Sequence, residues 1–155
     1  MLALDQPGPR AWDPSLVRRM RDADRPAVIA LLEAEGGDPA EAWLQAQLDD
    51  GDVCFVAMID GRVVGCGLCG MHGDLGRLHG LVVHPDHRGQ GIGAELLRAR
   101  IDALALLGAT RLLTEIATWN LASMHLAQEA GFRPAGSLVV ESLDASSKPG
   151  QPVRR

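Results

Sequence analysis

Residues 84–100, HPDHRGQGIGAELLRAR, set Gly89, Gly91 and Gly93 at alternate positions between an apolar run and a helical one. Glycines at that spacing leave backbone N–H groups uncovered. The first turn of the following helix adds unsatisfied N–H groups and the positive end of its dipole. Arg88 stands at the entrance. Together these features suit an anion, most often a phosphate. A plain strand-to-helix turn needs a glycine for geometry, but not three in alternation behind an arginine.

Other phosphate loops fit poorly. A Walker A loop requires Gly-Lys-Ser/Thr, yet the basic residues are 14 arginines and one lysine, Lys148, far from the glycines. Gly89, Gly91 and Ala94 match G-x-G-x-x-A. In a dinucleotide site, however, the first glycine follows its strand directly and an acidic residue lies about 20 positions on. Here HPDHR intervenes and Glu115 is too distant. A second chemical feature is the C-x-x-C of Cys66 and Cys69, with His72 and His79 nearby. RVVGCGLCGM reads as a strand, where residues an odd number apart point to opposite faces. The two thiols then cannot meet one ion without a bulge, and Cys54 stands alone with no second ligand pair. No metal is expected, and the three thiols are expected to be free.

The chain of 155 residues, 46% hydrophobic and 23% charged, is long enough for one compact domain with a real core. Its net charge of −5 offers no basic footprint for nucleic acid. No run approaches a membrane span or a signal peptide, which implies a cytoplasmic protein. Residues 1–14 read as a flexible lead-in, 15–143 as a single domain, and 144–155 as a disordered tail.

The elements that must position the loop follow from pattern. SLVRRM (15–20) is a strand candidate. A helix follows, with Asp24 as cap, Pro26 in its first turn and Gly36 and Gly37 at its end. Residues 38–51 form a second helix with Asp38 as cap and Pro39 in the first turn. Residues 52–71 read as a hairpin about Asp60-Gly61, and 76–83 as a fourth strand. Ile92, Leu96, Leu97, Ile101, Leu104 and Leu107 recur at helical spacing, ending at Gly108. TRLLTEIA (110–117) is apolar on both faces, as a central strand should be. Asn120 caps a last helix closed by Gly131, and RPAGSLVVESL (133–143) is the final strand candidate.

LVVHPDHRGQGIGAELL resembles the acyl-CoA-binding segment of the GNAT N-acetyltransferase superfamily, whose (Arg/Gln)-x-x-Gly-x-(Gly/Ala) pattern is met by Arg88, Gly91 and Gly93. VRRMRDADRPAVIALL resembles the family's first strand and helix. TEIATWNLASMHLAQEAGF resembles its fifth strand and final helix, and the likeness spans about residues 15–133. The resemblance implies an α/β fold with a mixed, mostly antiparallel sheet, splayed between strands 4 and 5 and flanked by about four helices.

It further implies acetyl-CoA as cosubstrate and a small-molecule or peptide amine as acceptor. The pyrophosphate would lie on Arg88, Gly89, Gln90, Gly91, Ile92 and Gly93, and the pantetheine arm beside Leu81, Val82 and Val83, with Asn120 nearby. The Val83 N–H is the candidate oxyanion donor. Relatives carry a glutamate base five residues before the helix asparagine, which makes Glu115 the first choice. His79, with an ordinary pKa near ~6.5, is its rival. Many relatives have a tyrosine acid seven residues after the asparagine. Here that position is Ala127, and the chain has no tyrosine. Ser123 lies one helical turn earlier on the same face, whereas His125 falls almost opposite. Trp43 sits on the helix that walls the acceptor site in the family. Relatives also end in two strands where one candidate is available here, so an exposed edge invites pairing with a second copy. A homodimer is the resulting hypothesis, and a non-catalytic acyl-CoA-binding module is the alternative to an enzyme.

Overall fold

The computed structural model describes residues 16–36, 39–116 and 120–133. The expected lead-in, Gly37, Asp38, Trp119, the final strand candidate beyond residue 133 and the tail lie outside the described residues.

Chain order is β1 (Val17–Arg19), α1 (Arg25–Ala34), α2 (Ala40–Asp49), β2 (Val53–Ile59), β3 (Arg62–His72), β4 (Leu75–Val83), α3 (Ile92–Leu106), β5 (Arg111–Thr114) and α4 (Leu121–Glu129). The sheet runs β1-β2-β3-β4-β5; its first four strands are antiparallel, and β4 pairs with β5 in parallel. The hairpin between β2 and β3 turns on Asp60 and Gly61, at φ 51° and 77°. Paired left-handed residues match the twist of the flanking strands.

Alternation along β3 sends neighbouring side chains to different layers. Cys66 and Leu68 pack with Val28, Leu31, Leu32 and Leu44 of α1 and α2. Cys69 joins Leu97 and Leu104 of α3 on the other face. The two thiols of CGLC therefore point to opposite sides of the sheet, as their spacing predicts. Cys54, Cys66 and Cys69 are all free and buried.

Several local expectations change. Asp24 precedes α1, but its carboxylate does not cap it; it accepts from the Arg18 guanidinium at 2.7 Å and from the Arg21 N–H at 2.7 Å. Pro39 occupies the cap position of α2 instead of its first turn. Leu107 falls just past the end of α3 and is exposed, because Gly108, at φ 96°, already turns the chain away. β5 stops at Thr114, shorter than 110–117, and is an end strand of the sheet among the described residues.

Candidate active site

The site is built where β4 changes partners. β5 pairs with it only from Leu75↔Arg111 to Leu78↔Thr114, and the last link is the Glu115 N–H donating to the Leu78 carbonyl at 3.3 Å. Beyond that point the strands part, as the resemblance implies. Gly80 sits at the divergence with φ 70°, opposite a register shift between Cys66 and Leu68. The left-handed φ favours glycine, and a Cβ there would fall 2.8 Å from Leu68 Cδ1, which would have to shift. Arg100 of α3, 2% exposed, secures it from behind. Its Nη1 donates to the carbonyls of Leu68 (3.1 Å) and His79 (3.3 Å), and its Nε to that of Leu96 (3.1 Å).

Past the bulge the His84 N–H donates to the Val64 carbonyl at 2.8 Å. In an antiparallel pair bonded residues alternate, so Val82 bonds toward β3 while Leu81 and Val83 turn their peptide groups toward the opening. The Val83 carbonyl accepts from Arg88 Nε at 2.8 Å, while Arg88 Nη2 makes an exposed pair with Glu35 at 3.2 Å. Exposed pairs of this kind contribute ~0–1 kcal/mol, so the guanidinium is readily given up to a stronger anion.

A groove of about 230 Å³, open to solvent, runs along this edge. Leu81, Val82, Val83, Arg88, Gly89, Gly91, Ile92, Gly93, Asn120 and Ser123 line it; Gln90 does not. The side chains of Val82 and Ile92 are buried in the core. Glu35, His87, Ala122 and Leu126 line it as well, and the sequence motif did not single them out. No side chain caps α3, whose N-cap is Gly91 at φ 88°. A Cβ at Gly89 or Gly91 would meet no atom within 4 Å, so the space above both glycines is open. Asn120 caps α4, its Oδ1 accepting from the Ser123 N–H at 3.1 Å. Bare amides, a helix N-terminus and an arginine in one groove fit a pyrophosphate.

A second cluster lies on the α1 and α2 face of the sheet. Glu115 is buried just past β5; its Oε1 accepts from Arg77 Nε at 2.6 Å and pairs with Nη2 at 2.5 Å. His79, one residue before the bulge, is 5% exposed. Its Nε2 lies 2.6 Å from Asp52 Oδ2, and its ring meets Trp43 edge-on, centroids 5.6 Å apart. Burial holds the imidazole below its ordinary 6.5, with Arg77 and Arg100 adding to that and Asp52 opposing it. Glu115 and His79 thus come together; Ser123 lies across the opening in the groove. His125 pairs with Glu129 at 3.1 Å on the exposed side of α4, and Ala127 is buried. His84 accepts from the Asp86 N–H at 3.1 Å and serves its turn. Asp52 and Arg77 carried no sequence motif, since only pairing across strands gives them meaning. No helix among the described residues is long and apolar enough to cross a membrane.

Known proteins resemble this arrangement. The chain is 43% identical over 54 residues to an L-amino acid N-acyltransferase, MnaT, of Escherichia coli, covering 35% of this chain and 31% of that protein. The chain thus spans about a third of that relative. It is 29% identical over 135 residues to an L-methionine sulfoximine/L-methionine sulfone acetyltransferase of Pseudomonas paraeruginosa, covering 75% of this chain and 78% of the other. Among solved structures, a ribosomal-protein-alanine N-acetyltransferase from Brucella melitensis superposes with a TM-score of 0.67 at 27% identity, over 78% of this chain and 86% of its own. The family model described as the acetyltransferase (GNAT) family matches residues 16–132, well over half of the chain. The chain is a member of the acetyltransferase (GNAT) family.

Proposed function

We propose that this protein is an N-acetyltransferase that moves an acetyl group from acetyl-CoA to a primary amine, with the α-amine of an amino acid or peptide as acceptor class. The observation that carries the reading is the opened edge of β4 beside an uncapped, glycine-flanked helix N-terminus. The acceptor class draws on the relatives, whose names specify an L-amino acid, methionine derivatives and a protein alanine.

When bound, acetyl-CoA supplies a thioester, whose C–S bond breaks as the amine nitrogen bonds to the acetyl carbon. The amides at 89–93 and Arg88 bind the pyrophosphate, and the outward peptide groups of Leu81 and Val83 pair with the pantetheine arm. The Val83 N–H donates to the acetyl oxygen. Holding amine and thioester together provides most of the acceleration. Glu115 and His79 are the candidate proton acceptors. A carboxylate is ordinarily a weaker base than a neutral imidazole, which favours His79. Ser123 is the candidate proton donor to the thiolate, a modest task because thiols have pKa values near ~8.5.

Calorimetric titration with acetyl-CoA, followed by thiol release against a panel of amino acids, peptides, polyamines and aminoglycosides, tests the reading. Binding plus thiol release with amino acids or peptides supports it. Binding without release across the panel favours the non-catalytic module, a reading prompted by Ala127 and the missing tyrosine. No binding refutes both. The assembly proposed is a homodimer and the location the cytoplasm; light scattering on a gel-filtration column tests the assembly, a monomer overturning it.

A further inference from the structure

We infer that Asp52 and His79 form a dyad in which Asp52 positions the imidazole and His79 Nδ1 takes the proton of the acceptor amine; this rests on the acetyltransferase reading above. The 2.6 Å contact between His79 Nε2 and Asp52 Oδ2 puts a proton on Nε2, since an ionised carboxylate only accepts. Nδ1 is then a bare lone pair. It is buried and has no hydrogen-bond partner among the described residues. An unsatisfied buried acceptor calls for an explanation, and this one lies one residue before the bulge where β4 opens.

Two features hold Asp52 to this task. Its N–H donates to the Gln47 carbonyl at 3.0 Å, anchoring it to the end of α2. Gly70, facing it from β3, leaves room for its carboxylate: a Cβ there would stand 1.9 Å from Asp52 Oδ1. The charged groups around the imidazole are Asp52 before β2, Arg77 on β4, Arg100 on α3 and Glu115 after β5. Trp43 of α2 closes the ring's edge.

The acceptor ammonium gives a proton to Nδ1, directly or across one water, and the resulting imidazolium is stabilised by the Asp52 carboxylate. The nitrogen loses two protons in all as its bond to the acetyl carbon replaces the C–S bond. One ends on the departing thiolate; the other passes from the imidazolium to solvent.

The experiment compares wild type with Asp52→Asn, Gly70→Ala and His79→Gln for kcat, KM, acetyl-CoA affinity and the acid limb of kcat/KM. Imidazole nitrogen shifts are recorded by NMR on the free protein. A base works only when unprotonated, so activity falls as pH drops through its pKa. Asp52 raises that pKa, so Asp52→Asn should move the acid limb to lower pH while kcat drops about 10- to 100-fold. Acetyl-CoA affinity should stay within about twofold, because the loop is untouched. Gly70→Ala, which displaces the carboxylate without removing it, should move the limb the same way. His79→Gln should cost about 10²-fold or more. A merely structural pair would leave the limb in place. An active enzyme whose limb is unmoved in both variants, or a free-protein imidazole protonated on Nδ1, overturns the dyad alone. Bound acetyl-CoA with no turnover by wild type overturns the acetyltransferase reading and the dyad together.

Discussion

Gly91 and Gly108 bracket α3 and offer a matched pair of perturbations. Their φ angles are 88° and 96°, and at both a Cβ would meet no atom within 4 Å. Alanine at either site therefore meets the same backbone penalty and no clash. For an L-residue in left-handed conformation that penalty is about 1–2 kcal/mol. In a domain of this size about 1 kcal/mol lowers Tm by ~2–4 °C, so each variant should melt about 2–8 °C below wild type. The seventeen steps between them at ~1.5 Å per residue put them about 25 Å apart, and only Gly91 lines the groove. A methyl there occupies space that a phosphate needs in order to approach the amides. Gly91→Ala should weaken acetyl-CoA by about tenfold or more, which is ~1.4 kcal/mol, whereas Gly108→Ala should bind as wild type does. Calorimetry with parallel thermal melts reads both quantities. Equal affinity in the two variants, at equal loss of Tm, would show that the groove glycines serve geometry only and would refute the anion cradle.

Glu115→Gln breaks the buried pair with Arg77 and should cost about 3 kcal/mol in urea unfolding; with His79 as the base, the pH profile should keep its acid limb, moved to lower pH because Arg77 loses its counter-charge beside the imidazole. Loss of the limb altogether in this variant would put the base at 115. The Arg18 guanidinium hydrogen-bonds the Asp24 carboxyl and holds it below its ordinary 3.8. That stabilisation is present above pH 3.8 and lost as pH falls through the lower folded-state value. Asp24→Asn should therefore be less stable than wild type at pH 7, the gap closing under strongly acidic conditions in a urea series. Burial pushes the Cys54 thiol up to about 12 and the Cys69 thiol to about 11. Both should resist an aromatic disulfide reagent at pH 8 until the protein is unfolded, and prompt reaction of the folded protein would contradict the core described.

Much of the groove beside β4 was legible because it depends on local chemistry. Glycines at 89, 91 and 93, an arginine before them and a helix after them are neighbours in sequence as in space, and Asn120 caps α4 through a residue three positions away. The Asp60-Gly61 turn and the opposed thiols of CGLC follow from strand periodicity alone. What could not be read is whatever depends on which residues face each other across strands. Asp52 meets His79 over a separation of 27 residues, and Arg77 meets Glu115 over 38. Nothing in the local pattern marks Gly70 as the space for a carboxylate. Asp24 looked like a cap because its position is right, but Arg18 on β1 competes successfully for it. Leu107 fitted the helical stripe only because the stripe does not report where the helix stops.

Arg100 ties the two halves of the site into one device. A buried guanidinium with backbone carbonyls, and no carboxylate among the described residues, as its partners is an expensive choice for a core. Burial lowers its pKa to about 10, still well above neutrality, so it stays charged. Its bonds to Leu68 and His79 tie carbonyls on both strands beside the register shift. By holding the bulge it turns the Leu81 and Val83 peptide groups toward the groove. Its charge also helps keep the neighbouring imidazole neutral. An apolar residue at position 100 could fill the space, but it could not hold the strand open and bias His79 toward its unprotonated form. A charge in the core is reasonable here because one residue both braces the opened edge of β4 and adds to the burial that lowers the pKa of the imidazole beside it.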